Sequence, residues 1–138
     1  MKTLSFSFSL SLALLACAGC SGAPGASSSG SFPITVMSDS RTLHVELDAS
    51  PPPVVGTNTV ELTVTRASDG APQDGLSISV DPWMPAMDHG TSSPTVTPEG
   101  NGKYLVTELY LFMPGTWILK TSFSGPVSDH AEPEFEIQ

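Results

Sequence analysis

An all-β fold, with two antiparallel sheets packed as a sandwich, is what this sequence predicts, on three observations. Apolar residues alternate with polar ones at a period of two through much of the chain. Clusters of Gly, Pro, Asn and Asp punctuate those runs at short intervals. No stretch of ten residues carries a helical period. Six or seven short strands in roughly 105 residues fit an immunoglobulin-like sandwich of about seven strands.

Each element has its own pattern. "RTLHVELD" alternates Leu43, Val45 and Leu47 with Thr42, His44 and Glu46. "NTVELTVTRA" alternates Val60, Leu62 and Val64 with Thr59, Glu61, Thr63 and Thr65, and "GLSISVD" sets Leu76, Ile78 and Val80 against Ser77 and Ser79. "GKYLVTELYLFM" and "GTWILKTSF" are apolar on both phases, as central strands are, and "PEFEIQ" closes the chain. "DASPPPVVGTN", "SDGAPQDG", "PEGNG", "MPG" and "SGPVSDHAEP" supply the turns between them. No internal repeat is visible.

The 138 residues allow one domain. Residues 1–20 have the single charge of Lys2, the run "LSFSFSLSLALLA" and then small residues with two cysteines. This is the pattern of a secretory leader, too short and wrongly flanked for a stable membrane span. "LLACAGC" resembles the lipobox of bacterial lipoproteins, which implies acylation of either Cys17, after Leu14-Leu15-Ala16, or Cys20, after Ala18-Gly19. Cleavage by ordinary signal peptidase near "ACAG" or "SGA" is the alternative. The expectation is an exported lipoprotein facing the periplasm or the cell exterior. Residues 21–32, rich in Gly, Ser, Ala and Pro, read as a flexible tether, and 33–138 as the folded domain. Two cysteines provide no disulfide framework.

Beyond the leader, four basic residues stand against fourteen acidic ones, a net charge of −10. Such a balance argues against nucleic acid and anionic membrane surfaces as partners and is compatible with attracting cations. Solubility alone accounts for most of it.

"DPWMPAMDHG", Asp81 to Gly90, concentrates two methionines, a histidine, a tryptophan and two prolines. Pro82 and Pro85 remove backbone donors and stiffen the segment. Met84, Met87 and His89 stand at i, i+3, i+5, and two thioethers with an imidazole suit Cu(I), or less well Ag(I), far better than Mg(II) or Ca(II). Thioethers need no deprotonation and persist where a free thiol would be oxidised or paired. Met113, in "LFMPGTW", is the candidate fourth ligand if the sandwich brings the two Met-Pro turns together. The competing reading is that these methionines fill gaps between sheet and loop, as Met37 is expected to do. Trp83 and Trp117 read first as core bulk, and Trp83 also as a shield for a bound cation. His44 and His130 fit solvated positions, and Asp88 fits a turn-shaping one. H-E-x-x-H, C-x-x-C, G-x-S-x-G and phosphate-loop motifs are absent, so catalysis is not expected.

"PWMPAMDHG", then "GKY", then "LYLFMPGTWIL" make the chain resemble the YtkA-like domain, related to the FixH family, over roughly Arg41 to Phe123. Members are small exported or membrane-anchored immunoglobulin-like sandwiches with W-M-P-x-M-x-H-G, G-x-Y and M-P-G-x-W. The resemblance implies handling of copper or another metal through Met84, Met87, His89 and Met113. For the FixH branch it implies maturation of haem-copper oxidases, with a membrane protein of oxidase assembly as partner; an efflux complex is the partner that the interaction-module alternative would have. FixH itself has a transmembrane helix, which is not found here beyond the leader. Many members carry glycine where this chain has Asp88. A non-catalytic interaction module whose Met-Pro loop is structural is the alternative function.

Overall fold

The computed structural model describes residues 31–138; the leader with Cys17 and Cys20, and the tether as far as Gly30, lie outside them. Ten strands are formed: β1 Ile34–Met37, β2 Leu43–Asp48, β3 Gly56–Arg66, β4 Ser77–Met84, β5 His89–Gly90, β6 Thr95–Gly100, β7 Lys103–Leu111, β8 Gly115–Ser124, β9 Asp129–Ala131 and β10 Glu134–Ile137. They build two antiparallel five-stranded sheets. One has the order β1-β2-β3-β7-β6; the other runs β10-β8-β4-β5, with β9 also on β8. The sandwich is as expected, and the strand count is higher. The additions are pieces of two to six residues: β1, β5, β6 and β9. Runs so short, or broken by proline as β6 is at Pro98, show no countable alternation. Strands β9 and β10 keep one register along β8, Ala131 opposite Thr121 and Glu134 opposite Ile118. Only Glu132 and Pro133 interrupt them, and Pro133, which lacks an N–H, still accepts from the Leu119 N–H through its carbonyl. Among the described residues no helix is long and apolar enough to cross a membrane.

The core lies between the sheets, where Val45, Leu47, Leu62 and Val64 of the first meet Val80, Trp117, Leu119 and Phe123 of the second. The double apolar phase of β7 has a cause the sequence does not display. A bulge inserts one extra residue into β7 between the pairs Asn58–Leu109 and Val60–Val106, with Glu108 at φ 62°. Alternation therefore switches phase: Tyr104 and Val106 point inward before it, Leu109 and Leu111 after it, and Tyr110 turns out to solvent. Met37, expected to pack, is instead 41 % exposed at the far end of β1.

Buried Tyr104 ties the β3–β4 connection to the core. Its hydroxyl donates to the Gln73 carbonyl at 2.7 Å and accepts from the Leu76 N–H at 3.2 Å. Tyr104→Phe keeps the ring and leaves both backbone groups short of a partner, so a loss of about 1–2 kcal/mol is expected in urea denaturation.

Asp129 clamps the β1–β2 turn to β9. It accepts from the Ser40 hydroxyl, from Thr42 Oγ1 at 2.9 Å and from the N–H groups of Ser40 and His130 at 3.2 and 2.9 Å. Burial alone would raise its pKa, but hydrogen bonds from Ser38, Ser40 and the His130 and Ser40 backbone outweigh it and hold the carboxyl well below the ordinary 3.8. The folded value being depressed, the clamp's stabilisation is complete above the unfolded pKa and fades as pH falls below it. Asp129→Asn should cost about 1–3 kcal/mol at neutral pH, with the gap to the native chain closing in urea titrations below about pH 4.

Candidate metal centre

Both Met-Pro segments lie at one end of the sandwich, where the chain passes from sheet to sheet. Strand β4 arrives there at Met84, and β7 crosses to β8 through Phe112–Pro114. The proline in β4 is tolerated for a definable reason. The Pro82 carbonyl accepts from the Thr91 N–H at 3.2 Å, on the β5 side. In an antiparallel strand a residue's N–H and C=O point to the same neighbour, so the missing donor faces the sheet edge and not the β8 ladder. Strand β4 thus continues past Val80 to Met84, with Trp83 opposite Ile118.

A single 3-10 turn, Pro85–Met87, reverses the chain. Asp88 closes it in the left-handed conformation at φ 54°, its N–H reaching the Pro85 carbonyl at 3.3 Å. Asp88 therefore shapes the turn, and β5 returns with Met84 opposite His89 and Trp83 opposite Gly90. Directly opposed residues face the same side of a sheet with Cβ atoms about 5 Å apart, so Met84 and His89 share one face.

The imidazole of His89 is held in place. It stacks on Phe112, centroids 5.3 Å apart and planes at 16°, and Phe112 meets Trp117 edge-on at 5.1 Å. Nδ1 lies 3.1 Å from the Met87 carbonyl, which can only accept, so Nδ1 carries the proton. A neutral imidazole held this way has its lone pair on Nε2, the arrangement in which a backbone carbonyl fixes the tautomer of a metal-binding imidazole.

The second turn closes on the first. A Cβ on Gly115, φ 128°, would come 2.7 Å from the Met84 methyl, so the Met113-Pro114-Gly115 turn lies against the Met84 thioether. Trp117 Nε1 donates to the Met113 carbonyl at 3.1 Å, fixing that turn, and Met113 itself is partly buried against the core. The candidates nonetheless differ in access: Met84 is 3 % exposed and a core residue, whereas Met87 is 49 % exposed on the 3-10 turn. Among the described residues no three His, Cys, Asp or Glu side chains gather as a metal site.

Trp83 does not fill the shielding role expected of it. It projects to the opposite face of β4 from Met84, and the Lys120 ammonium sits 3.9 Å over its ring. Phe112 and Trp117 are the rings on the Met84 side. Trp117 is fully buried, as core bulk should be, and His44 and His130 are exposed. Three residues important to this geometry escaped the sequence reading. Phe112 lacked a signal beyond its place next to Met113, while Gly90 and Gly115 stand inside the His-Gly and Met-Pro-Gly runs.

A model of the YtkA-like family matches residues 37–122, well over half of the chain. The chain belongs to the YtkA-like family. The match begins at the last residue of β1, ends inside β8 and takes in both Met-Pro turns of this YtkA-like domain. No curated protein and no solved structure matches the chain significantly. The left-handed backbone at Asp88 also suits the glycine that the resemblance places there, since glycine adopts that conformation without a Cβ penalty.

Proposed function

We propose that this YtkA-like domain is an exported, non-catalytic metal-binding protein, anchored through lipid on Cys17 or Cys20. It holds Cu(I) through Met84, Met87, His89 and Met113 and serves as a periplasmic copper buffer or chaperone. The observation that carries this is the presentation of His89: a carbonyl on Nδ1 leaves Nε2 as the free donor on the face that Met84 shares. The neighbouring Met113-Pro114-Gly115 turn lies against Met84 through Gly115, which supports Met113 as a further soft ligand. The donor set therefore fits a soft monovalent ion, with His89 as the positioned nitrogen ligand and the thioethers as ligands that need no proton loss. Bound there, Cu(I) would be held in reduced form beside aromatic rings that limit water.

Competition for Cu(I) between the full chain and a chromogenic chelator, under reducing and anaerobic conditions, tests the proposal. One equivalent retained supports it, and none retained contradicts it. The burial of Met84 favours a second reading, in which the loop is structural and the domain an interaction module of a membrane efflux or assembly complex. That reading expects no competition.

A further inference from the structure

The end of the sandwich that carries the two Met-Pro turns differs chemically from the rest of the molecule. Of the five large exposed hydrophobic residues among the described residues, four, Val54, Val55, Met87 and Tyr110, lie on it, and the fifth, Met37, lies at the other end. The segments 52–57, 84–91 and 110–116 that build this tip hold one acidic residue, Asp88, of the chain's fourteen, and no basic one. Acidic side chains such as Glu136, paired opposite Thr116, form its margin.

The chain also enters from this side. Strand β1 runs away from the tip, from Ile34 opposite Leu47 to Met37 opposite His44. Ahead of it, Phe32 packs edge-on against Phe135 at 5.6 Å, and Phe135 stands opposite Trp117, two residues past Gly115. Phe32, near the start of the described residues, thus lies close to the tip. Ten residues lie between Cys20 and Ser31, and the eleven Cα–Cα steps between the two reach at most about 40 Å when fully extended.

We propose that the tip rests on the bilayer, with the zwitterionic lipid interface covering Val54, Val55, Met87, Tyr110 and Phe112. This rests on the lipid anchor of the proposed function and is independent of copper. An apolar surface whose one charge is Asp88, with acid at its margin, fits a neutral interface and is repelled by an anionic one. Tyr110 has the apolar body and polar tip that suit the headgroup level. Tethering raises the local concentration so far that a weak contact suffices.

Two exposed methionines provide the test. Met37 is level with Thr65 of β3, nine residues from Gly56 and so about 30 Å from the tip. The full lipidated chain is bound to phosphatidylcholine vesicles, freed of metal by a chelator, and treated with dilute peroxide. Oxidation of Met87 relative to Met37 should fall about fivefold against a Val54→Asp/Val55→Asp variant on the same vesicles. A chain that floats with the vesicles but oxidises equally in both forms overturns the docking and leaves the anchor intact. One that does not float overturns the anchor and the docking together. Protection of Met87 in native membranes alone would assign the tip to a protein partner instead, and overturn the lipid as occupant.

Discussion

Gly90→Ala is expected to detach β5 from β4 and to destabilise the domain by about 1–3 kcal/mol. A Cβ at this position would lie 2.2 Å from the Pro82 carbonyl oxygen and 3.3 Å from its carbon. Both atoms are backbone, in the middle of a strand held by β8, so no rotamer change relieves the overlap. The Thr91 N–H would leave the Pro82 carbonyl, and His89 would lose its place opposite Met84. Denaturant titration reads the stability, and the imidazole resonances of His89 report the loss of the Phe112 stack. An alanine variant with native stability and an unmoved His89 would show that the two-residue strand does not position the histidine.

Leucine at Met84 and Met87 together is expected to weaken Cu(I) binding by at least about a hundredfold, roughly a factor of ten or 1.4 kcal/mol for each thioether lost. Leucine is the informative replacement because the two positions differ so much in burial. Met84→Ala would empty part of the core and cost about 2–5 kcal/mol, confounding folding with binding. Met84→Leu conserves volume and should cost less than about 1.5 kcal/mol, and Met87→Leu, at an exposed position, much less. Competition titration and thermal unfolding on the same samples separate the two effects. Native affinity in the double variant would remove both sulfurs from the site.

The sequence made the two-sheet architecture legible because β2, β3 and β4 each bury one face and expose the other, which prints burial directly onto period two. It was less informative where a backbone irregularity resets that period. The apolar doubling of β7 was legible as a central strand, which β7 is, but the bulge at Glu108 that causes much of it follows from tertiary pairing. Strand β9 is not legible in the sequence because three residues ahead of Pro133 carry no pattern, and its register comes entirely from β8.

At the site, residue types were legible and directions were not. That the two Met-Pro turns lie against each other depends on strand order, which spacing does not encode. That Met84 faces inward while Trp83 faces out depends on β4 continuing through Pro82, which a proline would ordinarily argue against. The tautomer of His89 depends on a carbonyl two residues away, and the ring beneath it on a residue of the β7–β8 connection. Neither relation is present in spacing.

X-ray absorption at the copper edge of the Cu(I)-loaded full chain addresses the proposed centre most directly, because it identifies the ligand atoms themselves. Thioether sulfur together with one imidazole nitrogen is the expected shell. A shell of nitrogen and oxygen alone, or a chain that releases all its copper on desalting, would contradict a centre built from the two Met-Pro turns and His89.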